Sequence, residues 1–407
     1  MYDLAVAGAW IEFAVRWLHV ITGIAWIGSS FYFIALDLGL HRDRNLPSGA
    51  DGEEWQVHGG GFYHIQKYLV APKNMPDGLI WHKWQSYWTW ISGFVLLVLV
   101  YYLGAEFYLI DPTVADLAPW QAIGLSLASL AFGWIIYNTL CRVFVDADQT
   151  MLMVALFGVL VLMSYFYTSV FSGRAAMLHL GAFTATIMSA NVFMIIIPNQ
   201  KIVVDDLIAG RTPDAKYGKI AKQRSTHNNY LTLPVIFLML SNHYPLAFAT
   251  PYTWVIASLV FLMGVTIRHY FNSMHARAGH PHWTWAATTL IFIAIIWLST
   301  APAVTVDAPE RAQGAGLRFA EAEGFADVQD IVLGRCSMCH AQEPVWEGLH
   351  WAPKGVRLET EYQIAQQARA IYLQAGLSHA MPPANLSYME ESERAQITAW
   401  YRAAMQD

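Results

Sequence analysis

Residues 225–267 read STHNNYLTLPVIFLMLSNHYPLAFATPYTWVIASLVFLMGVTI, 43 positions between Arg224 and Arg268 without one Asp, Glu, Lys or Arg. A membrane-crossing helix needs about 20 mostly apolar residues, so this run is too long for one crossing and long enough for two. Ser241-Asn242-His243-Tyr244-Pro245, followed by Pro251, supplies polar and ring-constrained residues for a turn in its middle. Working outward, the same test finds six more charge-free intervals, at 17–36, 84–105, 117–141, 150–172, 175–200 and 278–306. The expected fold is an all-α bundle of eight transmembrane spans.

Composition agrees. The chain has 407 residues, 56% apolar and 13% charged, whereas soluble domains run near about one quarter charged. With 24 Lys and Arg against 30 Asp and Glu there is no basic excess, which excludes a nucleic-acid binder. Three cysteines exclude a disulfide-dense module. The charge is also unevenly spread. Residues 1–302 carry 16 acidic and 16 basic side chains, and residues 303–407 carry 14 acidic and 8 basic. The expected organisation is a membrane domain over 1–302, a Pro- and Ala-rich linker over 303–316 and a soluble acidic domain over 317–407.

Basic residues in the loops set the direction. Loops one, three, five and seven hold five, one, six and two; loops two, four and six hold none, one (Arg174) and none. This bias puts the odd loops in the cytoplasm and both termini outside. No basic n-region or A-x-A site precedes the first span, which is therefore expected to direct export itself. In the long first loop, 62–69 and 79–90 mix aromatic, His and Lys residues, which reads as an amphipathic helix on the inner leaflet or as part of a substrate site.

Cys336-Ser337-Met338-Cys339-His340 is C-x-x-C-H, the attachment pattern of a c-type haem. The two thiols add to the vinyl groups, and His340 follows as an axial iron ligand. Met381, in His379-Ala380-Met381-Pro382-Pro383, is the expected second ligand, because the prolines stiffen the strap that carries it. Met389 and Met405 are its rivals in a final amphipathic helix, and Met338 cannot reach the far face of the ring. The expected domain is a small class I-like cytochrome c, with Trp400 and Tyr401 in its core. Cys141, alone near the inner end of span three, receives no function.

Ionisable residues within spans are costly and are functional suspects. Glu12, Arg16, His19, Gly23 and Trp26 share one face of the first span. His19 suits a b-type haem iron, with Arg16 on a propionate and Gly23 against the macrocycle; the alternative is that both polar residues join helices by hydrogen bonds. Topology sorts the other histidines into an outer layer, His19, His179 and His243, and an inner layer, His82, His227 and His269. Two layers are what a relay of one or two b-type haems needs, and His19 with His179 is the favoured pair.

The chain resembles the bacterial membrane-bound cytochrome c urate oxidases of purine catabolism. The likeness lies in Arg16-Trp17-Leu18-His19-Val20 with Trp26-Ile27-Gly28, in Phe62-Tyr63-His64 with Lys67, and in Trp81-His82-Lys83-Trp84-Gln85 through Tyr87-Trp88-Thr89-Trp90. It continues in Pro198-Asn199-Gln200-Lys201, in Arg224-Ser225-Thr226-His227-Asn228-Asn229-Tyr230, and in the C-terminal haem site. The resemblance implies a multi-pass protein of the bacterial inner membrane with its cytochrome domain in the periplasm. It further implies oxidation of urate to 5-hydroxyisourate, with electrons passing to haem c and on to a downstream cytochrome c or terminal oxidase, without hydrogen peroxide.

Urate is a planar purine anion that needs a cation, amide donors and a proton acceptor. Asn199, Gln200, Lys201, Arg224, Thr226, His227 and Asn228 offer these at the inner face, with Arg224 and His227 the expected catalytic pair; positive-inside topology alone also accounts for much of the basic set. The other reading is a membrane quinol or small-molecule dehydrogenase with the same tail. No nucleic acid is expected as a partner; membrane lipid is.

Overall fold

The computed structural model describes residues 4–42, 45–68, 76, 78–144, 149–300, 310–347, 349 and 352–406. Helix α1 (Leu4–Gly39) has 36 residues, about 54 Å at 1.5 Å per residue. That exceeds the roughly 30 Å hydrocarbon core.

After α1 the chain forms an antiparallel hairpin, β1 (Ala50–His58) and β2 (Gly61–Tyr68). Gly59 and Gly60 both have positive φ, +58° and +80°, as a type I′ turn requires. This corrects the helical expectation for 62–69. Phe62, Tyr63, His64 and Lys67 lie on β2, paired with β1 across the Gly59-Gly60 turn, and the described fold is mostly helical rather than all-α. One face of the hairpin docks on the inner end of α1, through Tyr32 Oη to Gln56 Oε1 (2.7 Å) and a Lys67–Asp37 ion pair. Trp55, Val57 and Phe62 are exposed.

The remaining helices of the membrane domain are α2 (Trp84–Leu96), α3 (Pro119–Val143), α4 (Gln149–Val170), α5 (Gly173–Ala190), α6 (Ile197–Ile208), α7 (Ala215–Leu240), α8 (Thr253–His275) and α9 (Trp283–Thr300). Helix α2 runs on through a π-helical Leu97–Tyr102, and π-helical Asn191–Ile196 joins α5 to α6. Among the described residues, six helices are long and apolar enough to cross a membrane: α1, α3, α4, the α5–α6 run, α8 and α9. The other two predicted intervals fall on α2 with its π-helical extension and on α7, whose first turns carry Lys216, Lys219, Lys222 and Arg224. The predicted break after α7 is there as two 3₁₀ turns, Ser241–His243 and Pro245–Ala247.

Helix α5 is the most enclosed and packs on α3, α4 and α7, while α1 contains no buried residue and lies mainly against α2. Ser172 starts α5: its Oγ accepts from Ala175 N (3.3 Å) and donates to the Tyr108 carbonyl (2.8 Å). Helices α7 and α8 approach so closely at Pro234 that a Cβ on Gly264 would come within 2.5 Å of its ring.

The C-terminal domain contains α10 (Leu317–Ala320), α11 (Phe325–Arg335), α12 (Ser337–His340), α13 (Glu361–Gln366), α14 (Ala368–Ile371) and α15 (Glu391–Ala404). Its buried side chains form a second cluster, with Tyr372 stacked on Tyr401 at 4.2 Å and Trp400 Nε1 donating to the Phe319 carbonyl (2.7 Å). Ala5 and Phe107 of the membrane domain pack against this cluster, and Gly355 meets Pro245. The C-terminal domain therefore sits on the start of α1, the segment after α2 and the turn after α7. Those are ends that the basic-residue bias assigns to one face.

Candidate functional site

In the C-terminal domain the C-x-x-C-H segment is one tight turn capping α11. Cys336 O accepts from Cys339 N (3.1 Å) and from His340 N (2.9 Å), so the two cysteines lie one helical turn apart. Both thiols are free. Burial, and then the neighbouring Cys339, push the Cys336 thiol up to about 12. His340 Nδ1 donates to the Val356 carbonyl (2.7 Å), which fixes the tautomer and leaves the Nε2 lone pair for a metal. Val345 and Trp346, which both donate N–H to the Met338 carbonyl beside this turn, are exposed. A bound macrocycle would cover such apolar side chains. The residues present fit covalent haem.

The three methionines separate by environment. Met389 is 3% exposed inside the second cluster, Met405 lies on the surface, and Met381 is 36% exposed. The Met381 backbone is held on both sides: its N–H donates to Gln374 O (2.8 Å) and its carbonyl accepts from Arg394 Nη1 (2.9 Å). Arg394, itself buried, also donates to Ala375 O (2.7 Å).

In the membrane domain two histidines share the hydrogen-bonding state of His340. His19 Nδ1 donates to Thr89 O (3.0 Å) on α2, with Ser92 Oγ at 3.1 Å, and among the described residues no hydrogen bond reaches its Nε2. A Cβ on Gly93 would come within 2.8 Å of this ring, so His19 lies against the α2 backbone and joins α1 to α2. His179 Nδ1 donates to Ala175 O (2.8 Å), and its buried Nε2 has no partner. The His179 ring is enclosed by Phe171, Tyr101 and Tyr167, at 4.8, 5.6 and 5.9 Å. The rings of His19 and His179 are not in contact. Arg16 pairs with Glu12 on its own helix. His243 is exposed in the turn after α7, where its own partial burial and then Arg16, Lys354 and Arg174 hold its pKa below the usual value. His82 lies against Phe33 at 4.8 Å, and His269 against Trp283 at 6.1 Å.

The third constellation is a polar network inside the bundle. Arg224, 2% exposed, donates from Nη2 to Asn138 Oδ1 (2.9 Å) and from Nη1 to Asn191 Oδ1 (3.5 Å), and lies over the Tyr137 ring at 4.9 Å. Asn191 Nδ2 donates to Tyr137 Oη and to Asn228 Oδ1, both at 2.9 Å, and Asn228 Nδ2 donates to Met188 O (3.0 Å). Tyr137 Oη lies 2.9 Å from His227 Nδ1. Among the described residues no carboxylate pairs with Arg224, and its Nε is buried without a partner. Tyr137 and His227, with Thr184 and Tyr230, help line a cavity of about 60 Å³. Arg224, His227 and Asn228 share α7 at i, i+3 and i+4, and the packing of α3 and of the π-helical segment after α5 brings Tyr137, Asn138 and Asn191 to them. Asn199, Gln200 and Lys201 stand apart on α6, and Thr226 bonds within its own helix.

The sequence reading missed Tyr137, Asn138 and Asn191. It also missed Arg268, which is buried and bonds Asn229 (3.2 Å) and Asn272 (2.9 Å) while covering the Phe31 ring at 4.2 Å. The available signal was an amide inside a predicted span, at Asn138 and at Asn191. Asn191 also opens the π-helical segment, a geometry frequent at functional sites.

The urate oxidase N-terminal family model matches residues 5–299. The chain belongs to the urate oxidase N-terminal family. The match covers the membrane domain with the Arg224 network and His19, and ends before the C-x-x-C-H turn. No curated protein and no solved structure matches the chain. Membership in this family points to an oxidoreductase acting on urate, and the six long apolar helices are consistent with a membrane protein.

Proposed function

We propose that this protein is a membrane-bound urate oxidase of dehydrogenase type, with eight spans and a covalent haem c in its own periplasmic domain. Urate and water give 5-hydroxyisourate, two protons and two electrons. When bound, a haem c would supply a reversible one-electron acceptor and so a route for electrons toward a downstream cytochrome c or terminal oxidase. The chain's own residues would hold it: Cys336 and Cys339 by thioether bonds, His340 and Met381 as ligands to its iron.

One observation carries the reading. The strap Pro353–Gly355 leads directly into Val356, whose carbonyl orients His340, and that strap rests on Pro245 of the urate oxidase-family domain. Docking of the C-terminal domain through the segment that orients His340 supports electron transfer to it from the domain beneath. The unpartnered Nε2 atoms of His19 and His179 support b-type haem ligation within the body, with Arg16 nearby for propionates. A pyridine haemochrome spectrum would then show haem b beside haem c, and His19→Ala would lower the b component.

The decisive test adds urate or a quinol to washed membranes and follows reduction of the haem α band, with peroxide assayed in parallel. Urate-dependent reduction without stoichiometric peroxide is expected. Reduction by quinol alone would make the protein a quinol dehydrogenase, and peroxide formed one-for-one with urate would reject the route through haem.

A further inference from the structure

We infer that Arg224 and His227 anchor an anionic oxygen edge of the bound purine, with His227 acting through Nε2 as a hydrogen-bond donor and not as the proton acceptor. The inference rests on the urate reading above and assigns the site within it.

The argument follows the direction of each hydrogen bond. A guanidinium only donates, so the oxygen of Asn191 faces Arg224 and its NH₂ faces the other way, to Tyr137 Oη and Asn228 Oδ1. The Met188 carbonyl only accepts, which independently orients Asn228 with its NH₂ toward Met188 and its oxygen toward Asn191. The two assignments agree. Tyr137 Oη therefore already accepts a hydrogen bond from Asn191, and the strongest acceptor within reach of its own proton is His227 Nδ1 at 2.9 Å, the nearby Cys141 sulfur being a weaker one. Cys141 Sγ, 3.9 Å from the same nitrogen, is also a donor. His227 Nδ1 is thus an acceptor, and the neutral ring carries its proton on Nε2.

This is the reverse of His19, His179 and His340, whose Nδ1 atoms all donate to backbone carbonyls and leave Nε2 as a lone pair. The first three are built to meet a metal; His227 is built to meet an acceptor. Beside it stands a guanidinium that, among the described residues, has no carboxylate partner and leaves a buried Nε unbonded. A cation enclosed among helices without a counter-charge is costly unless an anion completes the site. The cavity of about 60 Å³ beside Tyr137 and His227 has mostly apolar walls and takes the edge of a ligand rather than a whole purine; Arg224 stands behind the Tyr137 ring, outside its lining. Tyr137, Asn191 and Asn138 are positioning residues: they set the His227 tautomer and the Arg224 fork.

The test measures equilibrium binding of urate to the full-length protein, by calorimetry, with the haem held reduced by dithionite so that no electron can leave. Arg224→Gln and His227→Leu are expected to weaken binding at least tenfold, and Arg224→Lys, which keeps the charge without the fork, severalfold. His227→Gln places an amide N–H near the position of Nε2–H and is expected to bind within about threefold of wild type. Tyr137→Phe should weaken binding severalfold in the wild-type background and not at all in the His227→Gln background, where no tautomer remains to be set. Only variants with the wild-type haem spectrum and elution volume enter the comparison, and Arg224→Lys and Tyr137→Phe are the mildest of the set. Unchanged affinity in Arg224→Gln and Arg224→Lys would overturn the anchor. His227→Gln that binds urate normally but no longer reduces haem would make His227 a base and overturn the donor role. Absence of urate-dependent haem reduction in the wild type would instead overturn the urate reading itself.

Discussion

Among the described residues, Arg224 in the membrane domain and Arg394 in the C-terminal domain are both buried, both lack an ion pair, and both leave Nε unbonded. Their partners differ. Arg394 donates from Nη1 to the backbone carbonyls of Ala375, Ser378 and Met381, on one continuous segment, and from Nη2 to the side chain of Asn385 (3.5 Å) just beyond it. Arg224 donates to side-chain amides from α3 and from the π-helical segment after α5. Backbone carbonyls are fixed by the path of the chain, so Arg394 is a fastener for the Met381 strap. Amide side chains can turn and exchange partners with a ligand, and they meet only because three helices pack together. A buried cation held by one loop is structural; one held across helices beside a cavity is placed to bind.

The largest expected effect lies at the haem end of this comparison. Cys336→Ala combined with Cys339→Ala removes covalent haem entirely, seen as loss of the haem-stained band after denaturing electrophoresis and of all urate-dependent absorbance change. Retention of the band in the double variant would refute the attachment site.

The two arginines then separate by ligand. Saturating urate stabilises a binding-competent fold by about 2.7 kcal/mol at one hundred times Kd. With the haem held reduced, urate should raise the thermal midpoint of the wild type and of Arg394→Gln but not of Arg224→Gln. Arg394→Gln should itself cost about 1–3 kcal/mol in the C-terminal domain, because three carbonyls lose a charged donor. A urate shift lost in Arg394→Gln and kept in Arg224→Gln would invert the comparison.

Methionine variants sharpen the fastener side. Met381→Ala is expected to abolish the far-red methionine–iron absorption band while covalent haem remains. Met389→Ala, cut from the core, should instead cost about 2–5 kcal/mol and leave the band.

The C-x-x-C-H pentapeptide is legible as one tight turn because the spacing of its thiols and the following histidine is set by local chain geometry. The helical intervals were legible because the hydrocarbon core demands long runs without charge. The hairpin was not read, although Gly59-Gly60 between Val57 and Phe62 carried the two-residue turn signal; the aromatic and His content of 62–69 was taken for a helix face. Arg224 and His227 were named as a pair from their place at the inner end of a span. Their partners Tyr137, Asn138 and Asn191 lie 33 to 90 positions away in sequence, and only the packing of α3, α5 and α7 unites them. The sequence assigns His227 no separate role, because a histidine's tautomer is set by neighbours that one sequence does not reveal.

The smallest predicted effect tests the junction between the two regions. Gly355 adopts φ +67°, and a Cβ there would stand 3.1 Å from Pro245. Gly355→Ala therefore meets both the left-handed backbone penalty, about 1–2 kcal/mol for a residue with a Cβ, and a contact tighter than ordinary van der Waals distance. Because Val356 follows immediately and its carbonyl orients His340, the strap can relieve the contact by lifting away from the membrane domain. Fewer direct atomic contacts then link the two cores, while the haem site keeps its own ligands. Stopped-flow reduction of haem by urate should slow severalfold in Gly355→Ala, whereas reduction by dithionite, which reaches the haem from solvent, should keep its wild-type rate. Equal slowing with both reductants would mean that the substitution had altered the haem site itself, and an unchanged urate rate would show that electrons enter the C-terminal domain elsewhere, with Phe107 against Phe319 the next contact to vary.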